Sequence, residues 1–394
     1  MKNKLVAGAV GINKFIGKHR IQAARSVLTP CIDFDACVPG TPGNFDAKIK
    51  LAMDFGFERH RIYPTLEEML HAEKGKLDFV SLTTPNKFHA EQAIQVARAG
   101  VNLMVDKPLA LTASEADKIV AAVELAGIWS LVTATYCGHA ALIEARHRIQ
   151  KMSAPAAKAL QGGRLSYDQA WLKIVLSLMT PDTGSDQAAW RKNPELSGKG
   201  GAAGDILSHL LFQLHFITGL KVVAVRAKRS YVVEGKASGM TDDQVTVIAV
   251  MENGAEITLE ATQFAGGHQN DNKLELWFEG GNTLGWDIRE AEILWVTENG
   301  GPRQLLTRSD FKSPIVPFTH SMPAMHPEGW INADARLIYP FAWQIAGRAL
   351  PDGVDFYHPD VRMARNICAV GDAIIESSDC ASGPFGRVPV DWLI

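Results

Sequence analysis

The sequence predicts an α/β protein with an N-terminal doubly wound parallel sheet and a C-terminal α/β domain with a large open, mainly antiparallel sheet. Three observations predict this architecture. Short apolar runs alternate with amphipathic stretches in the first third of the chain, strand-like runs joined by glycine turns follow later, and 394 residues exceed what one hydrophobic core supports. We place the domains at residues 1–135 and 136–394.

The N-terminal part contains the alternation. Helical stretches lie between its strands, for example Ala90–Ala99 closed by Gly100 and Ser114–Ala126 closed by Gly127, each glycine in the position of a C-cap. Strands that alternate with helices at this spacing pair in parallel, as in a Rossmann domain. The predicted strands are Leu5–Val10, Asp33–Val38, Asp78–Thr83, Val101–Val105 and Trp129–Ala134.

The second half reads as a meander of strands that ends in helices from Trp330 onward. Asn-Gly and Gly-Gly pairs between apolar runs are hairpin signals, found here at residues 252–254, 280–282 and 299–301. One face of such a sheet must be covered by helices or by another subunit. The predicted strands are Lys221–Val233, Gln244–Met251, Glu256–Phe264, Lys273–Phe278, Thr283–Ile288 and Glu292–Val296.

The composition excludes several classes of function. A net charge of −3 without a block of like charge argues against nucleic-acid partners. No apolar run reaches the roughly 18 residues that span a bilayer, and Leu5–Ile12 is a first strand instead of a signal peptide. Five scattered cysteines without metal-binding spacing fit reduced thiols and no metal, so we expect a cytoplasmic protein.

Lys107 follows the apolar run Val101–Val105 and precedes Pro108. Ligands of open parallel sheets bind beyond the carboxyl ends of the strands, so a lysine there can face a reacting group. It would act as a cation or as a proton relay. The alternative is a solvated loop lysine before a helix.

A second candidate lies where a glycine-rich loop enters an apolar helix that ends near Gly219. Asp205, His209 and Gln213 are spaced by four residues and predict one polar stripe on this buried helix. A buried carboxylate and imidazole are costly unless they satisfy each other or a ligand. A paired Asp–His is also what a general base needs, although a structural pair is the alternative. Gln213 is interpreted as structural.

These residues together resemble the glucose–fructose oxidoreductase/inositol dehydrogenase/rhizopine-catabolism (Gfo/Idh/MocA) family. The resemblance rests on three motifs: Asp106-Lys107-Pro108 after a strand, the glycine loop with Asp205 and His209, and residues 84–89 after another strand. The resemblance covers nearly the whole chain. It extends to residues 15–17, 63–69, 189–191 and 326–330.

The resemblance implies a Rossmann domain, oligomers formed through the open sheet, and oxidation of a sugar, sugar-acid or cyclitol hydroxyl with NAD(P). It implies that His209 is the general base, that Asp205 orients it, and that Lys107 lies near the reacting oxygen. It places the cofactor near Gly11, Asn13, Phe15, Ile16, Thr84, Pro85, Asn86, His89, Asp106 and Lys107. It places the substrate near Tyr136, Trp171, Trp190 and Arg191.

The nucleotide turn departs from the family pattern. In residues 9–17 only Gly11 is kept in the tight turn, with Asn13 in place of a glycine, and Val10 and Ile12 reduce the room for a pyrophosphate. Asn tolerates positive φ better than other non-glycine residues. Asp33 and Asp35 come too early to bind the ribose, and no basic residue is near. We expect NAD because a 2′-phosphate would lack a cation; NADP stays open.

The leading hypothesis is an NAD(P)-dependent dehydrogenase of a polyol, cyclitol or sugar that works as a homodimer or homotetramer. A redox-neutral lyase or glycosidase, acting through a transient keto-sugar, would use the same base and cofactor. A non-catalytic sugar- or nucleotide-sensing relative is the third hypothesis, suggested by the altered glycine turn.

Overall fold

The computed structural model describes residues 4–12, 16–27, 32–40, 44–151, 159–170, 193–232, 241–319, 323, 326–349, 357–380 and 386–393. Its strands form two sheets, one of five strands and one of nine. The first sheet uses residues up to Thr133 and the second begins at Leu160, so the predicted boundary at residue 135 falls between them.

The five-stranded sheet is parallel and confirms the predicted doubly wound fold. Its strands are β1 (Leu5–Val10), β2 (Ile32–Val38), β3 (Phe79–Leu82), β4 (Asn102–Asp106) and β5 (Ser130–Thr133). Their side chains are largely buried, as expected where helices cover both faces. Its helices are α1 (Ile16–Val27), α2 (Phe45–Asp54), α3 (Leu66–Ala72), α4 (His89–Arg98) and α5 (Ala113–Ala126).

The strand order β2-β1-β3-β4-β5 reverses direction between β1 and β3. Loops that leave the carboxyl ends of these two strands diverge, and they open a crevice in which doubly wound sheets bind ligands. The Gly11 turn follows β1, and Thr83 to Asn86 follow β3. The topology therefore places two groups of the predicted cofactor residues, Gly11 and Thr84–Asn86, on the two walls of one crevice.

The nine-stranded sheet has the order β13-β12-β11-β10-β6-β9-β8-β7-β14 and is antiparallel except where β6 pairs with β9. The predicted hairpins are confirmed, with glycines in the left-handed region at positions 254, 280, 281 and 300. Its strands are β6 (Leu160–Asp168), β7 (Val222–Ser230), β8 (Gln244–Met251), β9 (Glu256–Thr262), β10 (Asp271–Phe278), β11 (Asn282–Asp287), β12 (Leu294–Thr297), β13 (Gln304–Leu306) and β14 (Val388–Pro389).

Strand β6 was not predicted, although it lies at the centre of the sheet. Gly162 and Gly163 interrupt its apolar alternation, and glycines weaken a strand pattern. The structure explains one of them, because a Cβ at Gly163 would lie 2.7 Å from the Glu275 carbonyl oxygen on β10.

Helices cover one face of this sheet and connect it to the first domain. The predicted C-terminal helices are confirmed. Helix α12 (Val361–Ser378) packs on β7, whereas α11 (Trp330–Ile345) packs on α1 and on the turn at residues 135–138. On the sheet itself, Trp286 is buried, whereas Trp277 lies 39% exposed. The helices are α6 (Ala140–Gln150), α7 (Pro194–Ser197), α8 (Ala202–Asp205), α9 (Leu207–Thr218), α10 (Val316–Thr319), α11 (Trp330–Ile345) and α12 (Val361–Ser378).

The described residues contain neither a membrane-spanning helix nor a metal-binding cluster. None of their helices is both long and apolar enough to cross a membrane. Within the same residues, no group of three or more His, Cys, Asp or Glu side chains has the arrangement of a metal site.

Candidate active site

Lys107 connects the two domains at the carboxyl end of β4. Its Nζ donates a hydrogen bond to Asp205 Oδ1 at 3.0 Å and another to the Asp205 carbonyl oxygen at 2.5 Å. The lysine side chain is 11% exposed and the aspartate side chain 29% exposed. A largely buried ion pair of this geometry fixes the lysine ammonium in place, so Lys107 is not the solvated loop lysine of the alternative interpretation.

The structure shows Lys107 as the ion-pair partner of Asp205, and the predicted role of Asp205 in orienting His209 stays a prediction. Helix α8 ends at Asp205 and α9 begins at Leu207, with Ile206 between them at φ −107° and ψ −35°. The interruption removes the continuous polar stripe that a spacing of four residues implies. The Asp205 carboxylate binds Lys107 and Gln263 Nε2, the latter at 3.4 Å, and the described residues show no hydrogen bond from it to the His209 ring.

His209 lies in an aromatic pocket close to that ion pair. Its ring centroid is 4.8 Å from that of Tyr136 and 5.8 Å from that of Tyr167. Burial, and next the positive charge of Lys107, hold the pKa of the ring well below its usual value, while Asp205 opposes the shift. Nδ1 is buried without a hydrogen-bond partner among the described residues. The ring is therefore neutral at physiological pH, the form that accepts a proton.

Three polar side chains form a closed hydrogen-bond ring beside His209. The Tyr136 and Tyr167 hydroxyls lie 2.6 Å apart, Tyr167 donates to Asn270 Oδ1 at 2.6 Å, and Asn270 Nδ2 donates to the Tyr136 hydroxyl at 3.1 Å. Burial raises the pKa of Tyr136 to about 12, so the phenol stays a hydrogen-bond donor. Trp330 tilts against Tyr136 with ring centroids 5.5 Å apart.

Of these neighbours, the sequence singled out Tyr136 alone as a substrate residue. Tyr167 was missed because β6 was missed, and Asn270 and Gln263 carry no local motif. Trp330 could have been found, since it closes the His326–Trp330 motif. Trp171, Trp190 and Arg191 lie outside the described residues.

The glycine loop that delivers Asp205 is held by a fully buried carboxylate. Asp242 accepts hydrogen bonds from Gly201 N at 3.0 Å and from Ala203 N at 2.9 Å. A Cβ at Gly201 would lie 2.0 Å from the Asp242 carbonyl oxygen, so the two backbones meet closely there. Arg229 lies 3.6 Å from the Asp242 carboxylate and donates to the Lys199 carbonyl at 3.1 Å. Asp242 was not predicted as a site residue.

The crevice between β1 and β3 fits a dinucleotide. Gly11 has φ +84°, and a Cβ there would lie 2.8 Å from Thr84 Cγ2 and 2.9 Å from the Thr83 backbone. A Cβ at Gly17 would lie 3.1 Å from the Gly11 carbonyl oxygen. Both glycines thus allow a close approach of backbone before α1, which begins at Ile16, and glycines play this part where a Rossmann domain binds a pyrophosphate.

The concern that Val10 and Ile12 crowd the turn is not supported, because both side chains belong to the hydrophobic core. Asn13 and Phe15 lie outside the described residues.

The loop after β3 is held by hydrogen bonds to α7 and to α4. Asn86 Nδ2 donates to the Ser197 carbonyl at 3.1 Å, and Thr84 Oγ1 donates to Gln92 Oε1 at 2.6 Å. The two ring nitrogens of His89 each lie 2.8 Å from a backbone carbonyl oxygen, those of Pro108 and Thr84. Both ring nitrogens thus have backbone partners, and the predicted cofactor contact of His89 stays a prediction. Its ring is 1% exposed and positions the loops that carry Thr84 and Lys107.

Asp106 also has protein partners. Its Oδ1 accepts from the Lys107 backbone N at 3.0 Å, from Thr133 Oγ1 at 3.2 Å and from Arg20 Nη2 at 3.3 Å. Arg20, buried on α1, also lies 2.7 Å from Asp334 on α11. This arginine, which was not predicted, joins α1 to β4 and to the C-terminal part of the chain.

Comparison with known proteins agrees with this geometry. Residues 36–133 match the oxidoreductase family with an NAD-binding Rossmann fold, and residues 159–283 match the GFO/IDH/MocA C-terminal domain. The chain belongs to the Gfo/Idh/MocA family. The predicted family, its NAD-binding domain and its oxidoreductase class are thereby confirmed.

Curated relatives match over most of their length. An uncharacterised oxidoreductase of Bacillus subtilis is 26% identical over 348 residues, covering 85% of this chain and 83% of the relative. Levoglucosan dehydrogenase of Pseudarthrobacter phenanthrenivorans is 25% identical over 361 residues, covering 85% of each. Among solved structures, an inositol dehydrogenase homologue of Azotobacter vinelandii in complex with NAD⁺ has a TM-score of 0.84 at 21% identity, covering 98% of this chain and 97% of that one.

Proposed function

We propose that this member of the family oxidises a hydroxyl group of a sugar, sugar derivative or cyclitol. One observation carries the proposal: Lys107, Asp205 and His209 converge at the carboxyl end of β4, next to the dinucleotide crevice. A cation, an anion that fixes it and a neutral imidazole are the groups that alcohol oxidation requires.

The side chains divide the chemistry as follows. His209, neutral because of its burial, accepts the hydroxyl proton of the substrate. Lys107 stabilises the negative charge that develops on the substrate oxygen, and Asp205 holds the ammonium in position. NAD, when bound in the crevice, supplies the hydride acceptor at C4 of its nicotinamide. Gly11, Ile16, Thr84, Pro85 and Asp106 are the described residues that would hold it.

The substrate side supports a polyhydroxylated, compact molecule. Tyr136 lies beside His209, Asn270 bonds to Tyr136, and Gln263 bonds to Asp205. Trp330 adds an aromatic face against Tyr136. Sugars and cyclitols present dense hydroxyls and apolar C–H faces, which suit aromatic walls with few polar anchors. The names of the relatives, levoglucosan dehydrogenase and an inositol dehydrogenase homologue, point to the same class.

The test is a screen of cyclitols, anhydrosugars and hexoses with the purified protein and NAD⁺, in which NADH absorbance and substrate consumption are both measured. We expect stoichiometric NADH with one of these substrates. Substrate loss without net NADH would instead support the redox-neutral lyase or glycosidase. Binding of sugar and nucleotide without any turnover would support the sensor.

We also propose that the chain forms a homodimer or homotetramer through the open face of its nine-stranded sheet. Trp277 is partly exposed on this face, beside the ion pair of Arg164 and Glu275 at 3.0 Å. Light scattering of the purified protein would reveal the assembly, and a monomer at all concentrations would contradict it.

The buried thiols of Cys37 and Cys137 carry no disulfide, which supports a reducing, cytoplasmic location.

A further inference from the structure

Arg20 is a buried arginine on α1, the helix that follows the Gly11 turn. Its guanidinium lies between two carboxylates: Nη2 is 3.3 Å from Asp106 Oδ1 on β4, and Nη1 is 2.7 Å from Asp334 Oδ1 on α11. Its Nε has no hydrogen-bond partner among the described residues. The guanidinium is therefore held in place by these two carboxylates, which belong to distant parts of the chain.

Each carboxylate is bonded directly to a segment that carries a predicted site residue. Asp106 Oδ1 accepts a hydrogen bond from the Lys107 backbone N at 3.0 Å. Asp334 Oδ1 accepts one from Thr135 Oγ1 at 2.6 Å, and Thr135 is next to Tyr136 in the chain. The arginine between them thus connects the lysine on the cofactor side with the tyrosine on the substrate side.

The stability of the fold does not by itself account for this cluster. One cation and two carboxylates give it a formal negative charge, and burial raises the pKa of Asp334 although the charge of Arg20 opposes the shift. Well-packed apolar side chains often stabilise a fold as much as such buried ions do. A guanidinium offers something that they do not, because its planar nitrogens point several donors in fixed directions. It can thereby set the distance between the groups that it contacts.

We propose that Arg20 is a positioning residue that fixes the end of β4, with Lys107, relative to α1 and to the turn of Tyr136. The nicotinamide of a dinucleotide held at the start of α1 then meets Lys107 at a fixed distance. A displacement of about 1 Å between reacting groups can lower a rate about 10²-fold, so a tie of this kind matters even at a distance from the chemistry. The inference rests on the proposed function, because Lys107 and Tyr136 are residues of that site.

The experiment compares the affinities of NADH and of ADP-ribose for the whole chain by calorimetry. ADP-ribose carries a hydroxyl in place of the nicotinamide, so the ratio of the two affinities measures how well the nicotinamide is placed. Arg20→Lys keeps the charge, but its single ammonium cannot reproduce the directed donors of the guanidinium. We expect this variant to bind ADP-ribose as the parent does and to lose about fivefold or more of the preference for NADH, the size of one hydrogen bond. No turnover is needed, so a failed substrate screen would leave this result intact.

Arg25→Lys is the matched control, because Arg25 lies on the same helix and donates to the carbonyl oxygens of Phe55 at 3.0 Å and Phe34 at 3.4 Å. It should keep the NADH preference of the parent, and the same loss in this control would overturn the proposal. A parent-like preference in folded Arg20→Lys would also overturn it, even with a lowered melting temperature, since the arginine would then only stabilise the fold. Equal affinity of the parent for the two probes would overturn it as well.

Asp334→Asn keeps the test decisive if Arg20→Lys does not fold. The amide oxygen is a neutral acceptor of the same size, so it holds Arg20 and Thr135 less firmly without leaving them unpaired. We expect folded Asp334→Asn to lose part of the NADH preference and, with the substrate that the screen identifies, to lower kcat more than it raises KM. An NADH preference equal to that of the parent would contradict the proposal.

Discussion

At the scale of single residues, the Lys107 ammonium organises the site. The Lys107 ammonium binds both the carboxylate and the carbonyl oxygen of Asp205, and this leaves His209 as a neutral imidazole among aromatic rings. Burial, and next the positive charge of Lys107, lower the pKa of the ring and keep it unprotonated. A base that is neutral over the whole physiological range can accept a proton without first losing one.

Replacement of Lys107 tests this arrangement. Lys107→Met should keep the length and packing of the side chain but lower kcat about 10²-fold or more, because the developing oxyanion loses its cation. Steady-state kinetics and circular dichroism on one preparation would measure activity and folding together. Lys118→Ala, on the exposed side of α5, is the control and should match the parent. Activity of Lys107→Met within a few-fold of the parent would remove Lys107 from the mechanism.

The position of a single residue could be predicted from the sequence where it follows a strand, and could not where tertiary contacts decide it. Lys107 and the Gly11 turn were found because the strand pattern places them at the carboxyl edge of the sheet. The partner of Asp205 was not, because the helix breaks at Ile206, and φ and ψ at one residue leave no trace in a hydrophobic pattern. Asp242 reaches its position against the glycine loop only through the folding of segments that are about 40 residues apart.

At the scale of elements, the short helix α8 connects the glycine-rich loop to the helix α9 that carries His209. Its first residues are tied to Asp242 on the segment before β8, and its last residue binds Lys107. The position of the Lys107–Asp205 pair therefore depends on a carboxylate that contacts neither residue.

Asp242 variants separate that dependence from simple stability. Asp242→Asn retains one acceptor oxygen of the same size, so we expect a folded protein with lowered kcat and nearly unchanged nucleotide affinity. Asp242→Ala leaves two buried N–H groups without a partner and should cost about 3 kcal/mol of unfolding free energy. Chemical denaturation and kinetics would measure both effects. Full kcat in folded Asp242→Asn would show that the loop is held by other contacts.

The strand pattern predicted most elements but not the centre of the large sheet. Runs bounded by Asn-Gly or Gly-Gly turns gave β8, β10 and β11 within two residues, since such turns fix where hairpin strands end. Strand β6 has glycines at two central positions and pairs with a strand almost 100 residues later, so its stability comes from neighbours that a local pattern does not contain.

At the scale of the whole molecule, the two domains are joined through buried polar groups. Arg20 bridges Asp106 and Asp334, and α11 packs so closely that a Cβ at Gly138 would lie 1.9 Å from the Ala333 carbonyl oxygen. His139 stands at this junction, stacked on Tyr136 with ring centroids 5.9 Å apart. Burial, together with the charge of Arg336, lowers its pKa to about 3.

This buried histidine predicts a loss of stability in acid. On unfolding the ring becomes exposed and its pKa returns to about 6.5, so between these two values the unfolded chain binds a proton that the folded chain does not. The unfolding free energy must then fall as the pH falls below about 6.5, by about 2 kcal/mol at pH 5 from this residue. Denaturation of the parent and of His139→Gln at both ends of this range would measure it. A variant with the same pH dependence as the parent would contradict the assignment.

The most direct test of His209 as the base is the turnover of folded His209→Asn, measured with NAD⁺ and the substrate that the screen identifies. Asparagine is close to histidine in size and cannot accept the proton. We therefore expect an unchanged melting temperature, unchanged dinucleotide affinity and a steep loss of kcat/KM for oxidation. In the parent, kcat/KM should fall only on the acid side, because burial lowers the pKa of the ring. Parent-like turnover by a folded, nucleotide-binding His209→Asn would show that His209 is not the base, because the proton would then leave by another route.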